Sequence, residues 1–111
     1  MREVAMILGV FELIVLLTML QVSESIYPLA LRDAIETKTS RRVSRAAVFI
    51  TLERLERKGL VSSFYGDPTP IRGGRPKRFF KVEARGITAA RRAVRTMKEL
   101  TVGLETVLEL N

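Results

Sequence analysis

The sequence predicts a mainly helical fold with one small β-hairpin, on three observations. Apolar residues recur at helical spacing in four stretches, and one stretch near the middle changes to the alternating period of strands. Basic side chains are concentrated around that stretch. The 111 residues, 47% of them hydrophobic, suffice for one domain with its own core.

The composition removes most catalytic chemistry. The chain has no cysteine and no histidine, which excludes thiol nucleophiles, disulfides, the usual zinc ligands and imidazole acid–base groups. The remaining candidates for an enzyme are scattered carboxylates such as Glu53 and Glu56, which are better explained as partners of Arg57 and neighbouring bases. We therefore expect no catalytic residue, no metal site and no cofactor.

Charge is distributed unevenly along the chain. Residues 41–98 carry 16 basic and 4 acidic side chains, a net charge of +12, whereas residues 1–40 carry −2 and residues 99–111 carry −3. A basic block between acidic ends is typical of a polyanion-binding surface. A well-solvated surface is the alternative, and charge alone does not choose between them.

The first helix is predicted from about Gly9 to Gln21. The surrounding stretch from Val4 to Val22 is strongly apolar with Glu12 as its only charge, so its length permits a membrane span. Polar Thr18 and Gln21, the lack of a second span and the lack of a signal-like basic flank argue against one. We expect a helix buried on nearly all sides, in a core or a subunit interface, and no stable membrane insertion.

Two further helices are predicted on either side of a short polar connection, residues 39–43. The second runs from about Pro28, well tolerated in a first helical turn, to Lys38. The third begins after Ser44, a good N-cap, and stops at Gly59. The apolar side chains expected to face the core are Leu31, Ala34 and Ile35 in the second helix and Val48, Leu52 and Leu55 in the third.

Two short strands and a last helix follow. The strands are predicted at Leu60–Tyr65 and Arg78–Glu83, joined by a Pro- and Gly-rich tip that is basic in its distal half. From about Ala84 apolar residues recur alternately three and four apart, a heptad seam interrupted by Thr101 and softened by Gly103. We expect this helix to pack on a partner helix in a dimer, the alternative being that it packs only on its own domain.

Three helices, a basic hairpin and a trailing helix in this order describe a winged helix-turn-helix domain, residues 1–83, followed by a C-terminal dimerisation helix, residues 84–111. In that fold the third helix enters the DNA major groove and the hairpin lies on the backbone. At about 100° per residue, the outward face of the third helix comprises Ala46, Ile50, Glu53 and Arg57, flanked by Phe49 and Arg54.

The first turn of the third helix is the predicted base-reading end. Arg45 can reach a guanine edge or a phosphate, Ala46 permits close backbone approach, and Ile50 or Phe49 can contact a thymine methyl. Ordinary surface is the alternative for these residues, and partial burial is the alternative for Phe49.

Other cations are expected to position the protein on phosphates. Arg41 and Arg42 precede a helix N-terminus, where exposed amides and the helix dipole favour anions. The hairpin places four cations within seven residues, against the alternative of a merely solvated loop. The full expected DNA-contacting set is Tyr27, Arg41, Arg42, Ser44, Arg45, Ala46, Phe49, Ile50, Arg72, Gly74, Arg75, Lys77 and Arg78.

Two segments carry a resemblance to a known family. Residues 43–61, Val-Ser-Arg-Ala-Ala-Val-Phe-Ile-Thr-Leu-Glu-Arg-Leu-Glu-Arg-Lys-Gly-Leu-Val, resemble the recognition-helix signature of PadR-like transcriptional regulators. Residues 73–82, Gly-Gly-Arg-Pro-Lys-Arg-Phe-Phe-Lys-Val, are similar to their wing, and Glu-Ala-Arg-Gly follows as the start of a helix. The resemblance covers roughly residues 8–98. The sequence departs from the family where Phe49 replaces the usual Tyr and where Pro28 follows Tyr27.

The resemblance implies a dimeric, cytoplasmic repressor whose first and last helices form the dimer interface. It assigns Ser44, Arg45 and Phe49 to DNA contact and Arg75 and Lys77 to the wing. The expected interface residues are Phe11, Leu13, Leu17, Ala90, Val94, Met97, Thr101, Leu104 and Leu108.

The function expected from the sequence is therefore sequence-specific regulation of transcription by a homodimer bound to double-stranded DNA. The alternative is a winged-helix module that binds another protein or a membrane surface, for which the basic wing has no evident use. A small apolar or aromatic effector would bind in an apolar groove between the dimer helices, unless side chains such as Phe11 and Met97 fill that groove.

Overall fold

The computed structural model describes residues 8–22, 25–66 and 76–110. Its elements in chain order are α1 (Val10–Val22), α2 (Pro28–Thr39), α3 (Arg45–Arg57), β1 (Val61–Tyr65), β2 (Arg78–Val82), α4 (Ala84–Thr101) and α5 (Glu105–Leu108). The two strands form an antiparallel hairpin in which Val61 lies opposite Val82 and Tyr65 opposite Arg78. The predicted fold class, a winged helix-turn-helix with a trailing helix, is confirmed.

The core lies where α1, α2, α3 and the hairpin meet. The apolar stripe predicted for α3 is fully buried, and Leu31 and Ile35 of α2 are buried with it. Ala34 of α2 is only partly buried. The apolar stripe of α3 comprises Val48, Leu52 and Leu55. Helical periodicity therefore identified the sides of α2 and α3 that face the core.

Phe80 joins the hairpin to this core. Its side chain is fully buried, and its backbone exchanges two hydrogen bonds with Ile26, at 3.0 Å from Ile26 N to Phe80 O and 2.8 Å in the reverse direction. Ile26 thus pairs with β2 as an isolated bridge just before α2 begins. No local pattern predicts this contact, because it connects residues 54 positions apart.

Every residue of α1 from Phe11 to Met19 is buried or partly buried, as expected for a helix buried on nearly all sides, and exposure is confined to its two ends. Val15, Leu16 and Met19 form its buried side, whereas Val10 is 79% and Leu20 41% exposed. Leu20 is open because that side of α1 borders a groove beside α4. Of the helices in the described ranges, none combines the length and the apolar character needed to cross a bilayer.

Glu12, the lone charge of the apolar stretch, is held in a buried ion pair with Lys58 at the end of α3. The Lys58 ammonium lies 2.9 Å from Oε2 and 3.0 Å from Oε1 of Glu12, and the Gly9 N–H donates to Oε1 at 2.8 Å. The Glu12 side chain is only 6% exposed. Burial by itself would raise the pKa of Glu12, but the bonds from Lys58 and Gly9 and the charges of Lys58 and Arg54 outweigh it and lower that pKa.

The last helix is shorter than predicted. α4 ends at Thr101, and Gly103 adopts the left-handed region with a φ of 88°, which glycine tolerates without steric cost. The Gly103 N–H then donates to the Glu105 carboxylate at 3.0 Å as the short α5 begins. The predicted heptad seam is therefore interrupted after Thr101, and Leu104 and Leu108 lie beyond the break.

Gly86 permits α4 to start directly against the end of the α3–β1 connection. A Cβ built on Gly86 would overlap the Leu60 carbonyl oxygen and would lie 2.7 Å from Val82 Cγ1. The same carbonyl accepts a hydrogen bond from the Glu83 N–H at 2.9 Å, so it has little freedom to move away. This close approach fixes where α4 leaves the hairpin.

We expect Gly86→Ala to lower the free energy of unfolding by about 2 kcal/mol, because overpacking against backbone forces the helix to shift. Urea unfolding followed by circular dichroism measures the change. Gly9→Ala is the matched control, since its Cβ would meet only the Glu12 carboxylate, at 3.8 Å. Equal stabilities of the two variants would contradict the close packing of Gly86.

We expect Glu12→Gln to lower the free energy of unfolding by about 2 kcal/mol near pH 7, because Lys58 loses a charged partner. The pKa of Glu12 is lowered in the folded protein, so ionised Glu12 stabilises the fold above the ordinary pKa of a glutamate, about 4.3, and this contribution is lost as the pH falls through the lower folded value. The difference between wild type and variant should therefore shrink in acid.

Urea unfolding of both proteins from about pH 7 down to about pH 3 measures this difference. Glu99→Gln, at an exposed position on α4, is the control that carries the same chemical change. If the difference in the free energy of unfolding between wild type and Glu12→Gln stayed the same in acid, the ion pair would not stabilise the fold through its charge.

Candidate nucleic-acid interface

The turn between α2 and α3 is fixed by side chains of α2. Ser40 ends α2 in the left-handed conformation with a φ of 58°, and its N–H donates to the Glu36 carbonyl at 2.9 Å. The Val43 N–H donates to the Glu36 carboxylate at 2.8 Å, and Arg32 Nε donates to the Val43 carbonyl at 2.9 Å. Both polar groups of Val43 are thereby bonded, which sets the direction in which α3 leaves the turn.

Ser44 is the N-cap of α3, as predicted. Its hydroxyl accepts a hydrogen bond from the Ala47 N–H at 3.0 Å. Arg41 and Arg42 just before it are exposed, and Arg42 borders a recess of about 410 Å³ at this helix end. Cations beside the positive end of a helix dipole form a surface where a phosphate is favoured.

The outer face of α3 is exposed at the positions that periodicity predicts. Ile50 is 53% and Phe49 39% exposed, and Arg45 and Ala46 in the first turn are exposed as well. These four side chains lie away from the buried apolar stripe. They form the surface that a partner of this helix would contact first.

The loop end of the hairpin, where Lys77 and Arg78 lie opposite Gly66 and Tyr65, meets the start of α2 through aromatic contacts. The Lys77 ammonium lies 4.3 Å from the centre of the Tyr27 ring, within the range of a cation–π interaction. The Tyr27 ring packs edge-on against Phe79 at 5.7 Å between centroids, and Phe79 stacks on Phe64 at the same separation. Lys77 is therefore held beside the segment that leads into α2 and α3.

One cleft brings six of the predicted DNA-contacting residues together. It has a volume of about 530 Å³ and lies between the start of α2, the first turns of α3 and the loop end of the hairpin. Its lining residues are Tyr27, Pro28, Leu29, Arg45, Ala46, Phe49, Lys77 and Arg78. The cleft combines the exposed cations Arg45 and Lys77, which can contact phosphates, with the apolar faces of Tyr27 and Phe49.

Other predicted contacts lie elsewhere. Ile50 does not line the cleft, and Arg42 and Ser44 line the recess at the other side of the α3 N-terminus. Arg72, Gly74 and Arg75 fall outside the described residues.

Arg78 differs from the other predicted contacts because its charge is already paired. Its Nη1 lies 2.7 Å from Glu53 Oε2, its Nη2 lies 2.8 Å from Glu56 Oε1, and its Nε donates to Ser63 Oγ at 3.2 Å. The expectation that Arg57 partners these carboxylates is corrected, since Arg78 of β2 takes that place. Burial alone would lower the pKa of Arg78, but the hydrogen bonds and charges of Glu53 and Glu56 outweigh burial and raise that pKa above its ordinary value. The guanidinium therefore stays charged.

A second surface, an apolar groove of about 620 Å³, lies between α1 and α4. Its apolar lining consists of Leu17, Leu20, Ile87, Ala90, Val94 and Val102, and its charged rim of Arg91, Arg95, Lys98 and Glu99. Phe11 and Met97, the alternative occupants that the sequence left open, do not line it: Phe11 packs against the core, and Met97 is half exposed on α4.

The remaining expected interface residues are spread over α1, α4 and the segment after α4. Leu13 and Thr101 are partly buried, whereas Leu104 and Leu108 are exposed beyond the end of α4. Ala90 is already buried within its own chain, at the floor of the groove.

Solved structures share this fold. A PadR family transcriptional regulator from Eggerthella lenta is 23% identical, with 87% of this chain and 82% of that chain covered and a TM-score of 0.68. A PadR-like transcriptional regulator from Bacillus cereus is 16% identical, with 90% and 92% covered and a TM-score of 0.69. F93 from STIV, a winged-helix DNA-binding protein, is 12% identical, with 84% and 92% covered and a TM-score of 0.67.

The resemblance to PadR-like regulators expected from two sequence segments is thus confirmed at the level of the fold. No protein-family model and no curated protein sequence matches the chain.

Proposed function

We propose that the protein is a sequence-specific DNA-binding regulator of transcription, with α3 in the major groove and the hairpin on the backbone. The observation that carries the proposal is the cleft between α3 and the loop end of the hairpin, where Arg45, Phe49 and Lys77 share one surface. The net charge of +12 on residues 41–98 supports it, because a polyanion is attracted to this part of the chain. The solved structures of similar fold, described as transcriptional regulators, support it further.

The exposed face of α3 supplies the groups that read bases in the major groove. The Arg45 guanidinium can donate two hydrogen bonds to O6 and N7 of one guanine. Phe49 and Ile50 offer apolar contact to a thymine methyl, and Ala46 lets the helix backbone approach the base edges. Arg41, Arg42 and Ser44 at the helix start, with the wing cations, would hold phosphates and fix the register.

We further propose that the regulator is a homodimer that acts as a repressor. The groove between α1 and α4, whose lining includes the exposed Val102, and the exposed Val107 form an apolar surface of a kind that monomers rarely expose. Charges around it are complementary, because the rim of the groove is mainly basic and Glu105 and Glu109 near the chain end are acidic. Binding to two half-sites one turn of DNA apart would require the second copy, related by a two-fold axis, to lie with its α3 about 34 Å from the first.

A small apolar or aromatic effector would act at the same groove. Its lining is mainly apolar, and its volume of about 620 Å³ is within the range of small-molecule sites. An occupant at the dimer contact would change the separation of the two α3 helices and with it the affinity for DNA.

Fluorescence anisotropy tests the proposal, with the duplex upstream of the protein's own gene and a scrambled duplex of equal length, across a salt series. We expect the native duplex to bind more tightly and the affinity to fall steeply with salt, because phosphate contacts release counterions. Binding of neither duplex at low salt would overturn the proposal and favour the alternative, a module that binds another protein.

Arg45→Ala and Lys77→Ala should weaken binding in different ways. Loss of a base contact should cost about 1–3 kcal/mol on the preferred duplex and reduce the preference over the scrambled one, which we expect for Arg45→Ala. Loss of a phosphate contact should weaken both duplexes alike and reduce the salt slope by about 1, which we expect for Lys77→Ala. Equal losses on both duplexes for Arg45→Ala would contradict its role in base reading.

Val94→Glu should separate the two copies, because a carboxylate in the apolar groove would have to be desolvated at the contact. Sedimentation equilibrium measures the result: twice the chain mass of 12.5 kDa for the wild type and the single mass for the variant. Thr96→Glu, at an exposed position on the same helix, is the control and should remain a dimer. A wild type of single mass would contradict the homodimer.

A further inference from the structure

We propose that Arg78 is a positioning residue that locks the hairpin onto α3, and not a phosphate contact. The inference rests on the proposed DNA-binding function, which it refines by removing one cation from the DNA-contacting set. Its position in sequence, inside the basic segment of the wing, suggests the opposite role, and the contacts of its side chain decide between the two.

Every nitrogen of the Arg78 guanidinium has a partner within the protein. Glu53 and Glu56 of α3 accept from the two terminal nitrogens at 2.7 and 2.8 Å, and Ser63 of β1 accepts from Nε at 3.2 Å. Ser63 in turn donates to the second oxygen of Glu56 at 2.8 Å. The result is a closed network that joins both strands of the hairpin to one side of the recognition helix.

The guanidinium also lies between two rings with different surroundings. It is 4.8 Å from the centre of Phe80, which is fully buried in the core, and 5.7 Å from the centre of Phe49 on the exposed face of α3. Lys77, the next residue toward the tip of the hairpin, faces Tyr27. The orientation of Arg78 therefore bears on where Phe49 and Lys77 are presented in the cleft.

The electrostatics disfavour a phosphate contact by the same guanidinium. One positive charge is set against two carboxylates at hydrogen-bond distance, so the network as a whole is acidic. The bonds to Glu53, Glu56 and Ser63 use three of the five guanidinium N–H groups, and a phosphate on the other two would lie beside two carboxylates whose negative charge repels it. A planar fork is needed to reach both acids at once, and a lysine ammonium lacks that geometry.

Two variants with opposite changes in charge separate the roles. Arg78→Ala removes one positive charge, and the double variant Glu53→Ala/Glu56→Ala removes two negative charges. Each of these variants breaks the bonds that hold the hairpin to α3. We expect each to weaken binding to the preferred duplex by about tenfold, since position and not charge is lost in both. Lys81→Ala, which removes an exposed cation from the same strand, is the matched control and should change affinity by less than about twofold.

Arg78→Lys keeps the charge and tests the geometry. We expect it to bind as weakly as Arg78→Ala, because one ammonium cannot hold both carboxylates. Wild-type affinity in Arg78→Lys, or tighter binding by the Glu53→Ala/Glu56→Ala variant, would overturn the proposal and return Arg78 to the phosphate contacts. Thermal unfolding of each variant shows that it is folded at the temperature of the binding experiment.

A measurement on the free protein keeps the lock testable apart from DNA binding. In ¹⁵N-labelled protein the Nε–H of Arg78, identified by its absence in Arg78→Lys, should exchange slowly with solvent and should exchange fast in the Glu53→Ala/Glu56→Ala variant. Fast exchange in the wild type would contradict the network. If the wild type bound no duplex while this exchange stayed slow, the DNA-binding function would be wrong and the lock itself would stand.

Discussion

The burial of one side of α3 is the constraint on which the other features of the site depend. Val48, Leu52 and Leu55 are fully buried against α1 and α2, and each buried side chain of this kind contributes about 1.5–3 kcal/mol. Because a helix presents successive residues about 100° apart, fixing this side also fixes the opposite one. Phe49 and Ile50 are exposed for that reason, so the same packing that stabilises the domain presents the face that we propose reads DNA.

Polar contacts then fix α3 at three points along its length. The turn held by Arg32 and Glu36 determines where it begins, the buried pair of Glu12 and Lys58 ties its end to α1, and Arg78 connects its side to the hairpin. The Glu12–Lys58 pair thus joins α3 to the helix whose Leu17 and Leu20 line the groove proposed as the dimer contact.

Local pattern predicted much of this architecture. The apolar stripes of α2 and α3, the Ser44 cap and both strands follow from the spacing of residues that are close in sequence, and they lie where the pattern indicated. The partners of Glu12 and Arg78 could not be predicted in the same way, because they lie 46 and 25 residues away. A cation in a basic segment has the same sequence signal whether it faces solvent or a carboxylate, so only the folded arrangement distinguishes Arg78 from Lys77. The predicted end of α4 is wrong, because the heptad spacing of apolar residues continues past Gly103 although the left-handed backbone of Gly103 interrupts the helix.

The central claim is that the exposed face of α3 and the loop end of the hairpin contact DNA together. The most direct measurement is a titration of ¹⁵N-labelled protein with the duplex from upstream of its own gene, with the shift of each backbone amide recorded. The account predicts the largest shifts at Arg45, Ala46, Phe49 and Ile50 and at Lys77, with smaller ones along the groove between α1 and α4. Shifts confined to that groove, or none at all, would contradict it.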